Sequence, residues 1–145
     1  MRNYLAVACL LAIPTGVCLA DDDAVKSELK KAEGTWQLVS AVNNGKQIPE
    51  DVVKMIRVVI KDGKHSVYFG NESAVKETPF TLDPAKDPKT STDKLPDGRE
   101  IKGIYKLDDD TLTSCVAEPG KNCPTEFSSK EGSGWTLRVF KRVKQ

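Results

Sequence analysis

From residue 34 onward, side-chain character changes every second residue, in short runs separated by turn-forming pairs. Trp36, Leu38 and Ser40 alternate with Gln37, Val39 and Ala41, and Ile56, Val58 and Ile60 alternate with Arg57, Val59 and Lys61. A period of two places alternate side chains on opposite faces of a strand, so each run buries one face. Asn43-Asn44-Gly45 supplies a turn after the first run. Asp62-Gly63 joins 56–61 to 66–69 as the clearest hairpin. Further strands are expected at 74–82, 89–93, 100–107, 111–117 and 135–141, with turns at Asp83-Pro84, Pro96-Asp97-Gly98, Asp108-Asp109-Asp110 and Gly132-Ser133-Gly134. Roughly eight short strands at regular spacing, with little helix, indicate a small all-β antiparallel barrel or sandwich. Closure into a barrel is attractive because it leaves no exposed edge.

Two helical segments are expected. Residues 21–33 carry acids at the start, Lys30 and Lys31 in the last turn and Gly34 as a stop, with Val25, Leu29 and Ala32 on the apolar face. Residues 49–55 open on Pro49 followed by two acids and read as a short covering helix.

The first twenty residues have a different pattern. Arg2 precedes an apolar run, Leu5 to Ile13, and Cys18-Leu19-Ala20 offers a small-residue cleavage site before three aspartates. This is the pattern of a signal peptide, and the apolar run is too short for a membrane span. The expected organisation is a leader over 1–20 and one domain over 21–145, exported to the periplasm or the medium and without a membrane span after cleavage. Arg2 is the leader's only charged side chain and the whole chain carries a formal charge of +1, so the rest is formally neutral. Neutrality excludes a basic nucleic-acid binder and a polybasic membrane reader.

Of the four cysteines, Cys115 and Cys123 lie outside the leader. In an oxidising compartment the simplest reading is one disulfide, worth about 2 to 3 kcal/mol for so short a loop; two free thiols are the alternative.

Gly34-Thr35-Trp36, after a short helix and opening the first strand, resembles the Gly-x-Trp signature that begins lipocalin barrels. The likeness extends through Leu29-Lys30-Lys31, Asn44-Gly45-Lys46, Gly103-Ile104-Tyr105, Asp110-Thr111-Leu112, Cys115, Pro124-Thr125-Glu126-Phe127 and Gly132-Ser133-Gly134. Over nearly all of 21–145 the chain resembles the small lipocalin-like domains of uncharacterised secreted proteins abundant in planctomycete bacteria. That resemblance implies a compact barrel of calycin type and no established activity. Ser114 stands where the pattern has an aliphatic residue, and Cys123 where an arginine often precedes proline. It also implies that Trp36 packs beneath a basic residue near the chain end, Arg138 or Arg142, in a stacking contact of about 1 kcal/mol.

Chemistry-bearing patterns are sparse. His65 is the only histidine and follows the Asp62-Gly63 turn, where a solvated hairpin residue is expected. No catalytic constellation, metal set or cofactor motif is called for: His65, Cys115 and Cys123 are too scattered for a zinc site. The acidic runs lack the ligand spacing of a calcium loop. Gly132-Ser133-Gly134 lacks the lysine of a phosphate loop.

The barrel interior is the remaining candidate. Alternation can turn Trp36, Phe69, Phe80, Tyr105 and Trp135 inward, either as plain core or, with Ser114 and the Tyr105 hydroxyl as polar groups in an apolar wall, as the lining of a small-molecule pocket. Two functions follow. The first is a secreted lipocalin-like protein binding a small apolar or amphiphilic molecule. The second is a filled barrel whose outer loops, notably 118–130, contact an envelope or extracellular protein as an interaction or inhibitor module.

Overall fold

A computed structural model describes residues 21–145, so the expected leader lies outside the described residues. Helix α1 (Asp22–Ala32) starts where the Asp21 carboxylate accepts a hydrogen bond from the Asp23 backbone N–H, at 3.3 Å. Its first turn is acidic and its last turn basic, matching the helix dipole at both ends. Nine strands follow: β1 (Gly34–Asn43), β2 (Lys46–Gln47), β3 (Ile56–Lys61), β4 (Lys64–Phe69), β5 (Glu72–Asp83), β6 (Lys89–Lys94), β7 (Glu100–Asp108), β8 (Thr111–Ala117) and β9 (Trp135–Arg142). A short helix, α2 (Glu50–Lys54), joins β2 to β3.

All the pairings are antiparallel. The sheet runs β1-β3-β4-β5-β6-β7-β8-β9, and β9 pairs back with β1, closing an eight-strand barrel. The two-residue β2 pairs with β1 outside it and was not foreseen from the sequence. Closure pairs both edges of the sheet, the usual antiparallel answer to unpaired backbone.

Two ends result. One is capped by α1, which buries Ala32 and Glu28, and there the Glu28 carboxylate meets the Lys89 ammonium at 2.6 Å and accepts a hydrogen bond from the Tyr105 hydroxyl at 3.2 Å. The other end gathers the β1–β2 turn, the β4–β5 turn, the β6–β7 turn and the long β8–β9 connection. That connection folds against the outside of the barrel. The Gly45 N–H donates to the Ser129 hydroxyl, the Gly134 N–H donates to the Asn44 side chain, and beneath it Ile104 and Cys115 are almost fully buried.

Local irregularities decide which side chains face in. In β1 the pairing with β9 slips between Leu38 and Ser40, so Val39 bulges outward at 45% exposure. The inward set therefore changes from Trp36 and Leu38 to Ala41, correcting the expected phase that included Ser40. A similar slip sits between His65 and Val67 in β4.

Candidate functional site

Inside the barrel lies an apolar cavity in two chambers. The outer one, about 390 Å³, is walled by residues such as Leu38, Ile56, Val67, Ile101 and Phe140 and reaches Asn43 and Val75, both exposed at the rim. The inner one, about 120 Å³, is bounded by Ala32 of α1 with Ile60, Phe80, Tyr105 and Leu112. Val58, His65, Val67, Asp93 and Arg138 border both chambers and form the waist between them.

Three of those waist residues are polar and come from three strands. Arg138 on β9 pairs with Ala41 on one side and Ser114 on the other. Asp93 on β6 pairs with Phe80 and Ile101. His65 on β4 pairs with Ile60 and Thr78, and its ring meets Phe80 edge to face at a centroid distance of 5.7 Å. His65 Nε2 lies 3.3 Å from Asp93 Oδ2 but makes no hydrogen bond, although it is buried. The expected solvated hairpin histidine is thus corrected: its side chain is 17% exposed and faces the cavity. Strand parity carries it inward from the turn.

Burial pushes the Arg138 guanidinium below the usual arginine range, a shift that the negative charge of Asp93 opposes. No carboxylate among the described residues lies within ion-pairing distance of it. The half-buried guanidinium remains charged and presents a planar fork of donors to the cavity.

The expected site residues separate into distinct places. Phe80, Tyr105 and Ser114 line the inner chamber. Tyr105 offers its ring there while its hydroxyl is committed to Glu28, and burial, followed by the charge of Glu28, holds that hydroxyl protonated beyond the usual tyrosine range. Trp36 is fully buried and closes the capped end instead of lining a chamber; its indole N–H donates to the Ala32 carbonyl at 2.9 Å. Phe69 ends β4 at the rim, 43% exposed, and lines neither chamber. Trp135 also lines neither, because Thr136 and Arg138 take the inward positions of β9 and leave it on the outer face. The inward orientations expected for Phe69 and Trp135 are therefore corrected.

Of the two arginines, Arg142 stacks on Trp36, with its guanidinium carbon 4.2 Å from the ring centroid. Arg138 belongs to the waist. The Gly-x-Trp signature acquires a physical cause: Gly34 has φ of +130°, and a Cβ there would stand 2.8 Å from Arg142 Nη1. Its hydrogen atom leaves the arginine its seat.

The expected disulfide is corrected as well. Cys115 and Cys123 are both free cysteines. Cys115 points from the outer face of β8 into the covering loop, where Ser128, not Cys123, lies over it; the thiol donates to the Ser128 carbonyl at 3.2 Å. Closeness in sequence does not align the Cβ vectors that a bridge needs. Burial pushes both thiols up from their ordinary range.

The waist triad was missed from sequence because its members lie far apart along the chain and no motif links them. No helix among the described residues is long and apolar enough to cross a membrane. Comparison of the chain with protein-family models, with curated proteins and with solved structures finds no match.

Proposed function

We propose that the protein is an exported carrier that holds one small apolar or amphiphilic molecule inside its barrel. One observation carries this reading: an apolar-walled cavity, about 390 Å³ in its outer chamber, opens at the uncapped end of a closed barrel. Binding cavities for small molecules are concave, mostly apolar and furnished with a few polar groups that set orientation. The waist supplies such groups, and the opposite end is sealed by α1, Trp36 and Arg142. Eight strands are the number at which a barrel either fills with side chains or leaves room for one small ligand. The leader-like first twenty residues support export.

The test is a native mass spectrum of the protein purified gently from its own host. A small-molecule adduct lost on denaturation supports the carrier reading and supplies the mass of the ligand. A bare monomer whose melting temperature no apolar probe raises refutes it, because a ligand that binds only the folded state must stabilise that state by mass action.

A further inference from the structure

The waist of the cavity holds one strong cation and no anion in contact with it. Arg138 is half-buried in the barrel wall and borders both chambers, and among the described residues it takes part in no ion pair. A cation that faces an apolar cavity is ordinarily paired, since leaving it uncompensated beside apolar walls is costly. The nearest candidate, Asp93, stays beyond ion-pairing distance and instead lies against His65. A second group at the same waist lacks a hydrogen bond: His65 Nε2 is buried and, although 3.3 Å from Asp93 Oδ2, is not hydrogen-bonded to it. A cation without an anion in contact and an imidazole nitrogen without a hydrogen bond, facing one cavity from strands β9 and β4, mark a place where a polar atom of a ligand completes the pairing.

The sign and size of that group follow from the charges. A guanidinium fork matches a planar carboxylate with two parallel hydrogen bonds. Asp93 already brings one negative charge to the waist, so a monoanion adds a single further charge, whereas a phosphate dianion leaves the waist strongly negative in a low-dielectric interior. The larger, outer chamber then takes the apolar remainder of the molecule, between the waist and the open rim. Resting on the carrier reading above, we propose that the ligand is a carboxylate-headed amphiphile whose head docks on Arg138 beside His65 and whose tail occupies the outer chamber.

Calorimetric titration of the purified protein with decanoic acid, decanol and decyl phosphate tests this, in the wild type and in Arg138→Met and Arg138→Lys. Methionine keeps much of the arginine volume without charge, so decanol binding together with an unshifted melting temperature certifies that the variant barrel is intact. The wild type is expected to bind decanoic acid roughly tenfold to a hundredfold more tightly than decanol, the range of one charge-assisted hydrogen-bonded pair. Arg138→Met removes that preference, and Arg138→Lys, which keeps the charge and loses the fork, retains part of it. Equal binding of acid and alcohol, unchanged by Arg138→Met, overturns the proposal and leaves the carrier reading standing. Preference for decyl phosphate over decanoic acid overturns the carboxylate assignment. Failure of all three probes to bind the wild type, or loss of the folded transition in both variants with no acid preference in the wild type, counts against the proposal; the first of these also counts against the carrier reading.

Discussion

Replacing Arg142 by alanine tests the account of how the capped end is held. The guanidinium stacks on Trp36 at 4.2 Å, a contact of about 1 kcal/mol. It donates to the carbonyls of Glu33 at 2.6 Å and Lys31 at 2.8 Å, at the end of α1, and each of these charge-assisted bonds adds about 1 kcal/mol net of hydration. Longer contacts to the Asp109 carbonyl, at 3.3 and 3.4 Å, and an ion pair with the half-exposed Asp110 add less than about 1 kcal/mol together. The expected loss is therefore about 3 kcal/mol, or about 10 °C in melting temperature for a domain of this size. Urea denaturation followed by far-ultraviolet circular dichroism measures it, with the slope of the transition unchanged if only the folded state is affected. Arg142→Lys keeps a positive charge at the end of α1 but loses the plane and the fork, so it recovers less than half of the loss. A loss below about 1 kcal/mol for Arg142→Ala would refute the reasoning. So would full recovery by lysine, because either result means that the stacked, forked geometry carries little of the stability.

Gly34→Ala places a Cβ against Arg142 Nη1 and is expected to cost about 1 to 3 kcal/mol. In an Arg142→Ala background the clash disappears, so the two losses are less than additive, and strict additivity would sink the assigned role of Gly34. Thiol titration of the folded protein should find two reactive groups without reduction: Cys123 reacts first, and Cys115, which is fully buried, reacts only as the protein opens. A count of zero thiols before reduction overturns the free-cysteine assignment. Because burial and Glu28 raise the folded-state pKa of Tyr105, the unfolded chain releases that proton first as pH rises. Stability should then fall once pH exceeds the ordinary tyrosine range, about 10, and Glu28→Gln should bring the phenolate absorbance midpoint down while burial keeps it elevated.

Much of the architecture was legible because it is local. The Asp62-Gly63 pair adopts positive φ at both residues, 52° and 70°, the requirement of a tight hairpin, and sequence alone locates that turn. The acid-to-base polarity of 21–33 and its glycine stop fall within a turn or two of the helix ends. Strands β6 to β9 begin and end within a residue of the expected bounds, since period-two alternation and flanking turn residues are short-range signals. The interior was harder to read. Phe69 lies at the rim and Trp135 on the outer face, although each belongs to a correctly located strand, because facing depends on register and on where a strand leaves the barrel.

The sequence by itself therefore determined an antiparallel β fold and one short leading helix, consequences of periodicity and turn chemistry, while a tryptophan seated beneath an arginine was only what the lipocalin-like resemblance implied. Tertiary structure alone decided which arginine. The β1–β9 register sets Arg142 opposite Trp36, while Arg138, four residues earlier on the same inward face, falls at the waist of the cavity. The same closure turns His65, Asp93 and Arg138 toward one cavity from three strands separated by long stretches of chain. Only ring closure of the barrel brings such residues together, because their approach depends on bulges and pairings summed around the whole sheet. No pattern within any one segment encodes that sum.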